Sequence, residues 1–160
     1  MAALNRKPER LGPEVLPDLP CACATTRRAA RAITQLYDRR LHQAGIEAAQ
    51  FGLLAVLDRM PGTSQTVQGK LLAMDKTTLS RNFKLLKQRG WIELSPGKDD
   101  RERRYRLTRA GRERLQAAKP LWKAAQDRLQ SIVGPRAWQT TLATLRALTQ
   151  AATNARQADL

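Results

Sequence analysis

Asp75 to Thr108 reads DKTTLSRNFKLLKQRGWIELSPGKDDRERRYRLT, and its hydrophobic period changes once, near Gly90. Before that point Leu79, Phe83 and Leu86 recur at i, i+4 and i+7, the spacing of one apolar face on a helix. Asp75 is well suited to cap that helix, because its carboxylate can accept from the free N–H groups of the first turn. Lys76, Thr77, Thr78, Ser80, Arg81, Lys84 and Lys87 fall mostly off the stripe, and no carboxylate occurs between Lys76 and Gly90. The exposed side should therefore be all hydroxyls, donors and positive charge, with Gly90 ending the helix in a left-handed cap.

After Gly90 the pattern is that of a hairpin. Trp91, Ile92 and Leu94 read as a short strand, residues 95–100 as a polar turn, and Arg104 to Leu107 as a return strand. Alternation turns Tyr105 and Leu107 inward and Arg104 and Arg106 outward. A hairpin whose tip carries Lys98, Arg101 and Arg103 is expected to stand in solvent as a charged finger. Such a finger suits a phosphate backbone or a minor groove.

Asp99-Asp100-Arg101, five further residues and then Leu107-Thr108 resemble the D-x-R-x5-L-T wing signature of the MarR family of winged helix-turn-helix transcription regulators. The preceding LLAMDKTTLSRNFKLLKQRGWI is similar to that family's recognition-helix segment, and the flanking helices extend the resemblance over about residues 25 to 155. A helix-turn-helix match alone is weak evidence. Recognition helix, wing signature and helices on both sides together are specific.

Composition points the same way. In 160 residues, 29 Lys plus Arg stand against 14 Asp plus Glu, a formal charge of +15 that favours polyanionic partners. With 42% hydrophobic residues the chain can build a packed core. A membrane is disfavoured as partner, since no apolar run approaches the ~18 residues of a spanning helix. Arg6, Lys7, Glu9 and Arg10 are not followed by the apolar core of a signal peptide, so a cytoplasmic location is expected.

Pro8, Pro13, Pro17 and Pro20 mark residues 1–24 as a flexible arm. Cys21-Ala22-Cys23 at its end admits three readings. The ordinary one makes them small, semi-apolar residues at a helix entrance. In the second they are a redox switch, with Arg27, Arg28 and a helix N-terminus favouring a thiolate. In the third they hold a metal with help from a second chain, although a closed site wants four ligands and this chain has one His.

Residues 25–44 are expected to form a helix capped by Thr25 or Thr26, with Ala29, Ile33, Leu36, Tyr37 and Leu41 on its apolar side and Gly45 at its end. A second helix covers 47–60, marked by Phe51, Leu54 and Leu57, and Pro61-Gly62 stops it. Ser64 then caps a short helix over 65–73 whose apolar face is Val67, Leu71 and Met74. Gln68 falls where the family tends to be apolar. Thr108 caps a helix over 109–132 with Leu115, Ala118, Leu121, Trp122, Ala125, Leu129 and Ile132 as its stripe, and Pro120 within it predicts a kink or local break. Gly134-Pro135 ends it, and 136–154 form a last helix with Trp138, Leu142, Leu145 and Leu148.

The expected fold is mainly α with a small β-hairpin wing. Residues 47–108 form the winged helix-turn-helix, and 25–46 with 109–155 form a helical dimerisation region, whose surplus apolar face a second copy would cover. The resemblance implies that Thr77, Thr78, Arg81 and Lys76 face the major groove of double-stranded DNA. Among them Arg81 is the best candidate base reader, since a guanidinium can bond guanine O6 and N7 together. Lys84 and Lys87 would touch phosphates, Arg101 would enter the minor groove oriented by Asp99, and Arg103 would add charge to the wing. It also implies a repressor released by a small, often aromatic or anionic effector or by cysteine oxidation, with Tyr37 and His42 as candidate cleft residues. No catalytic constellation, cofactor site or complete metal set is legible. A non-specific DNA-coating protein remains the alternative, followed by an adaptor that uses the wing on another acidic partner.

Overall fold

A computed structural model of the chain describes residues 21–95 and 104–158. Six helices and one antiparallel hairpin follow in the order α1 (Ala22–Leu41), α2 (Ala48–Arg59), α3 (Gln65–Leu71), α4 (Lys76–Gln88), β1 (Ile92–Leu94), β2 (Tyr105–Leu107), α5 (Arg109–Val133) and α6 (Pro135–Ala158), and a 3-10 turn at His42–Ala44 follows α1. The expected mainly α fold with a hairpin wing is the fold observed. Residues from Thr34 onward make one compact unit, and the earlier part of α1 belongs to another.

The core of the larger unit lies where α2, α4, the wing and the first half of α5 meet. Leu41, Leu53, Leu54, Leu86 and Leu115 have no exposed surface there. Leu79 and Phe83 are buried beside them, so the α4 stripe faces inward as its period predicts. Phe83 reaches the wing, its ring 4.6 Å from that of Tyr105 and tilted by 54°. In the hairpin Ile92 pairs with Leu107, Glu93 with Arg106 and Leu94 with Tyr105. Tyr105 and Leu107 point inward and Arg106 outward, while Glu93 and Arg106, directly opposite, form an ion pair at 2.9 Å. Ser64 adds an isolated bridge to Arg104, which ties the wing to the start of α3.

Several expectations need correction. The first helix begins at Ala22, with the Cys21 carbonyl accepting from Thr25 N–H at 3.0 Å, so Thr25 and Thr26 lie inside it and the C-x-C pair occupies its first turn. The face of α3 is rotated from the one expected. Val67 and Leu71 are 40% and 54% exposed, whereas Gln68 is fully buried and Gly69 lies inside. The cause is close packing on α4, since a Cβ on Gly69 would sit 2.9 Å from Leu79 Cδ2. No break occurs at Pro120, because α5 runs through it, anchored by Leu115 and Ala118 before it and Ala125 after it. Pro135 opens α6 as its first residue, where a missing N–H costs nothing.

Candidate nucleic-acid interface

Asp75 sets the start of α4. Its carboxylate accepts from Thr78 N–H at 2.9 Å and from the Thr78 hydroxyl at 2.7 Å. The Thr78 hydroxyl, with backbone N–H groups behind it, holds the Asp75 carboxyl below the usual carboxylate range. Leu79, Phe83 and Leu86 then fix which side of the helix is turned away from the core. Lys76, Thr77, Thr78, Ser80, Arg81, Lys84 and Lys87 are all exposed on it.

Beyond the Asp75 cap, the surface they form is cationic and holds no carboxylate of α4. Carboxylates elsewhere among the described residues are already engaged: Asp58 pairs with Lys119, Glu93 with Arg106, Glu113 with Arg109 and Asp127 with Lys123. Asp38 accepts from Ala48 N–H at 2.7 Å, and Glu47 shares a capping box with Gln50. Such a positive surface favours a polyanion.

Two partners of this surface escaped the sequence reading. Gln65 of α3 donates to the Ser80 hydroxyl at 3.2 Å, and Asn82 donates to the Thr78 carbonyl at 2.9 Å. The first depends on how α3 crosses α4, which no periodicity reports, while the second is a side-chain bond to the preceding turn within α4. The turn between the two helices carries Ala73 at φ 50°, a left-handed residue other than glycine.

The Leu107-Thr108 end of the wing has a structural reason. Leu107 is buried, while the Thr108 hydroxyl donates to the Gly90 carbonyl at 2.6 Å and accepts from Gly111 N–H at 3.0 Å. Thr108 N–H also donates to the Trp91 carbonyl at 3.0 Å. One residue thus caps α5 and pins it to the chain leaving α4. Asp99, Arg101 and Arg103, expected at the wing tip, lie outside the described residues.

The other candidates are dispersed. The Tyr37 hydroxyl donates to the Gln126 amide oxygen, and half-burial pushes the phenol's pKa up. His42 is exposed at the head of the 3-10 turn, where its carbonyl accepts from Gly45 N–H at 2.9 Å. Open concavities lie at the α5–α6 turn and along α6, and neither is lined by Tyr37 or His42. Cys21 and Cys23 are exposed free thiols, and Arg27 Nη2 lies 3.9 Å from Cys23 Sγ. Among the described residues no helix is long and apolar enough to cross a membrane.

Comparison with known proteins gives a consistent picture. A model of the MarR family matches residues 44–102. The transcriptional regulator MosR of M. tuberculosis is 34% identical, with 84% of this chain and 97% of that one covered at a TM-score of 0.75. A structure of MosR in complex with DNA matches at 36% identity, 82% and 98% coverage and a TM-score of 0.72. The transcriptional repressor CouR, solved on a 23-mer DNA duplex, shares the fold at 24% identity, 81% and 92% coverage and a TM-score of 0.73. No curated protein sequence matches significantly.

Proposed function

This chain belongs to the MarR family of transcriptional regulators, and we propose that it represses transcription by binding a pseudo-palindromic DNA site as a homodimer. The observation that carries the reading is α4: its apolar stripe is buried, and its exposed side presents Lys76, Thr77, Thr78, Arg81, Lys84 and Lys87 with no carboxylate among them. MosR, whose relationship extends over most of both chains, has been solved on DNA. The chemistry of this surface is recognition, and the family's members regulate transcription and do not catalyse a reaction.

In this reading α4 enters the major groove. Arg81 bonds a guanine edge, Thr77, Thr78 and Lys76 contact neighbouring bases, and Lys84 and Lys87 neutralise phosphates. The Thr78 hydroxyl, already donating to Asp75, acts as an acceptor there. Asp99, Arg101 and Arg103 serve the adjacent minor groove from the wing. Two copies related by a two-fold axis place their α4 helices in successive major grooves about one helical turn apart. Exposed Trp122, Ile132, Val133 and Leu148 support the dimer, because α5 and α6 hold apolar surface that the described residues leave open.

Release follows from a small effector beside Tyr37 and His42, or from oxidation of Cys21 and Cys23. In the second route hydrogen peroxide takes two electrons from one exposed thiol, leaving a sulfenic acid at Cys21 or Cys23 and one water. Either event need only favour a dimer whose α4 spacing no longer fits the duplex. The site of action is the cytoplasm.

The test is selection of duplexes from a randomised pool, followed by titration of the recovered DNA and a scrambled duplex at two salt concentrations. A recovered palindrome bound far more tightly than the scramble is the expected result, with binding of both weakened steeply by salt. Equal affinity for both would instead identify a DNA-coating protein.

A further inference from the structure

The end of α4 is held by a cluster that the helix pattern does not explain. Trp91, 7% exposed, has the guanidinium carbon of Arg89 at 4.9 Å and that of Arg114 at 5.2 Å from its ring centroid. Two cations on one buried indole repel each other, so each needs a further partner. Both find one at the same place. Arg114 Nη1 donates to the Ala44 carbonyl, and Arg89 Nη1 donates to the Gly45 carbonyl at 3.2 Å. Arg89 also donates to the amide oxygen of Gln50, a side chain 2% exposed that belongs to the α2 capping box, at 3.1 Å.

Gly45 makes room for this arrangement. Its φ of 61° is left-handed, and a Cβ there would lie 3.3 Å from Arg114 Nη1. The indole's backbone is fixed as well. Trp91 N–H donates to the Leu86 carbonyl at 3.0 Å, its own carbonyl accepts from Thr108, and a Cβ on Gly111 would approach that carbonyl to 1.9 Å. The last turn of α4 is thus joined to the α1–α2 connection and to α5 through the side chains of Arg89, Trp91 and Arg114.

We infer that Arg89 and Arg114 are positioning residues for DNA readout: gripping Trp91 and tied to the Ala44–Gly45 carbonyls, they set the angle at which α4 meets the duplex. The inference rests on the DNA-binding reading above. Arg81 can bond a base edge only if the whole helix lies at the correct angle, whereas phosphate attraction tolerates small rotations. Loss of the grip should therefore damage discrimination and spare non-specific affinity. Lysine is the diagnostic substitution, because it keeps the charge and loses the planar fork that both stacks and reaches a carbonyl.

The experiment uses the full-length protein, a duplex that the wild type has selected from a randomised pool, and a scrambled duplex. Arg89→Lys and Arg114→Lys should each reduce the affinity ratio between the two by about tenfold, the scale of one misdirected base contact. Affinity for the scramble, and its slope against salt, should match wild type at a temperature where thermal melting shows both variants folded. A ratio within about twofold of wild type, well under the value of one base contact, overturns the inference. So does a loss of scramble affinity with a shallower salt slope, which would make these arginines phosphate ligands. Should Arg114→Lys not fold, Arg89→Lys alone decides, since Arg89 lies at the surface. A wild type that binds both duplexes equally overturns the DNA-specific reading and this inference together, whereas failure of the variants alone leaves that reading standing.

Discussion

Leu86, on the apolar stripe of α4, is completely buried, while Leu148, in the middle part of α6, keeps 46% of its surface. Both leucines belong to the apolar stripes of amphipathic helices of one chain. Around Leu86 the wing, α2 and α5 close over the apolar face, and polar clasps such as Thr108 on Gly90 lock the closure. Around Leu148 no such closure forms among the described residues, and no described side chain of α6 is buried. The first region is a finished core. The second has the composition of a core without its other half, which is why a second copy is proposed there and not at the wing.

The sharpest way to break the finished region is Gly111→Ala. Its added methyl would meet the Trp91 carbonyl at 1.9 Å, a backbone atom held from several sides. Urea denaturation should show a loss of about 3 kcal/mol or more. A change under about 0.5 kcal/mol would mean that α5 and the end of α4 are not clamped as described.

Breaking the open region should cost little folding stability and much assembly. In Ile132→Asp/Leu148→Asp, sedimentation should show self-association at least about tenfold weaker, and the selected duplex should be bound about a hundredfold more weakly as one of two contacts is lost. Unchanged association would move the interface off these helices.

Gln68 is an imperfection inside the finished region, fully buried with neither amide atom hydrogen-bonded among the described residues. Gln68→Leu should raise stability by about 1–2 kcal/mol in the same denaturation assay, since an unpaired buried amide carries a desolvation cost that an apolar side chain does not. A loss of stability would show that the amide has a partner in solution, such as a bridging water.

The smallest expected effect is at Asp75. Because its folded pKa is lowered, its contribution is present above the unfolded carboxyl range and is lost as pH falls through the folded value. Asp75→Ala should lower Tm slightly at neutral pH, and the gap to wild type should close at acid pH. A gap independent of pH would rule out the ionised cap.

How much of this could be read from the chain depended on where the cause lay. The α4 stripe, its Asp75 cap, the inward Tyr105 and Leu107 and the Thr108 cap are local patterns, and all appear as expected. The face of α3 did not, because a seven-residue helix is too short for periodicity to choose between Val67 and Gln68, and Gly69 against Leu79 decided it. The start of α1 precedes the expected Thr25 or Thr26 cap because the first intrahelical bond already runs from Thr25 N–H to the Cys21 carbonyl, and Cys21 is not one of the residue types that mark a helix start in sequence. Of the candidate interface, the α4 residues were legible as an uncompensated charge pattern, while Gln65 on Ser80 and the Arg89–Trp91–Arg114 cluster join segments far apart in the chain. The wing tip at Asp99, Arg101 and Arg103, expected from the hairpin pattern and the resemblance together, lies outside the described residues.

The most direct test of the central claim is the affinity ratio between the selected and scrambled duplexes for wild type and Arg81→Ala at equal salt. Loss of discrimination in Arg81→Ala, with the scramble still bound, is the predicted result, because a base contact specifies and the remaining cations hold phosphate. A variant that discriminates as well as wild type would contradict the assignment of α4 as the reading helix.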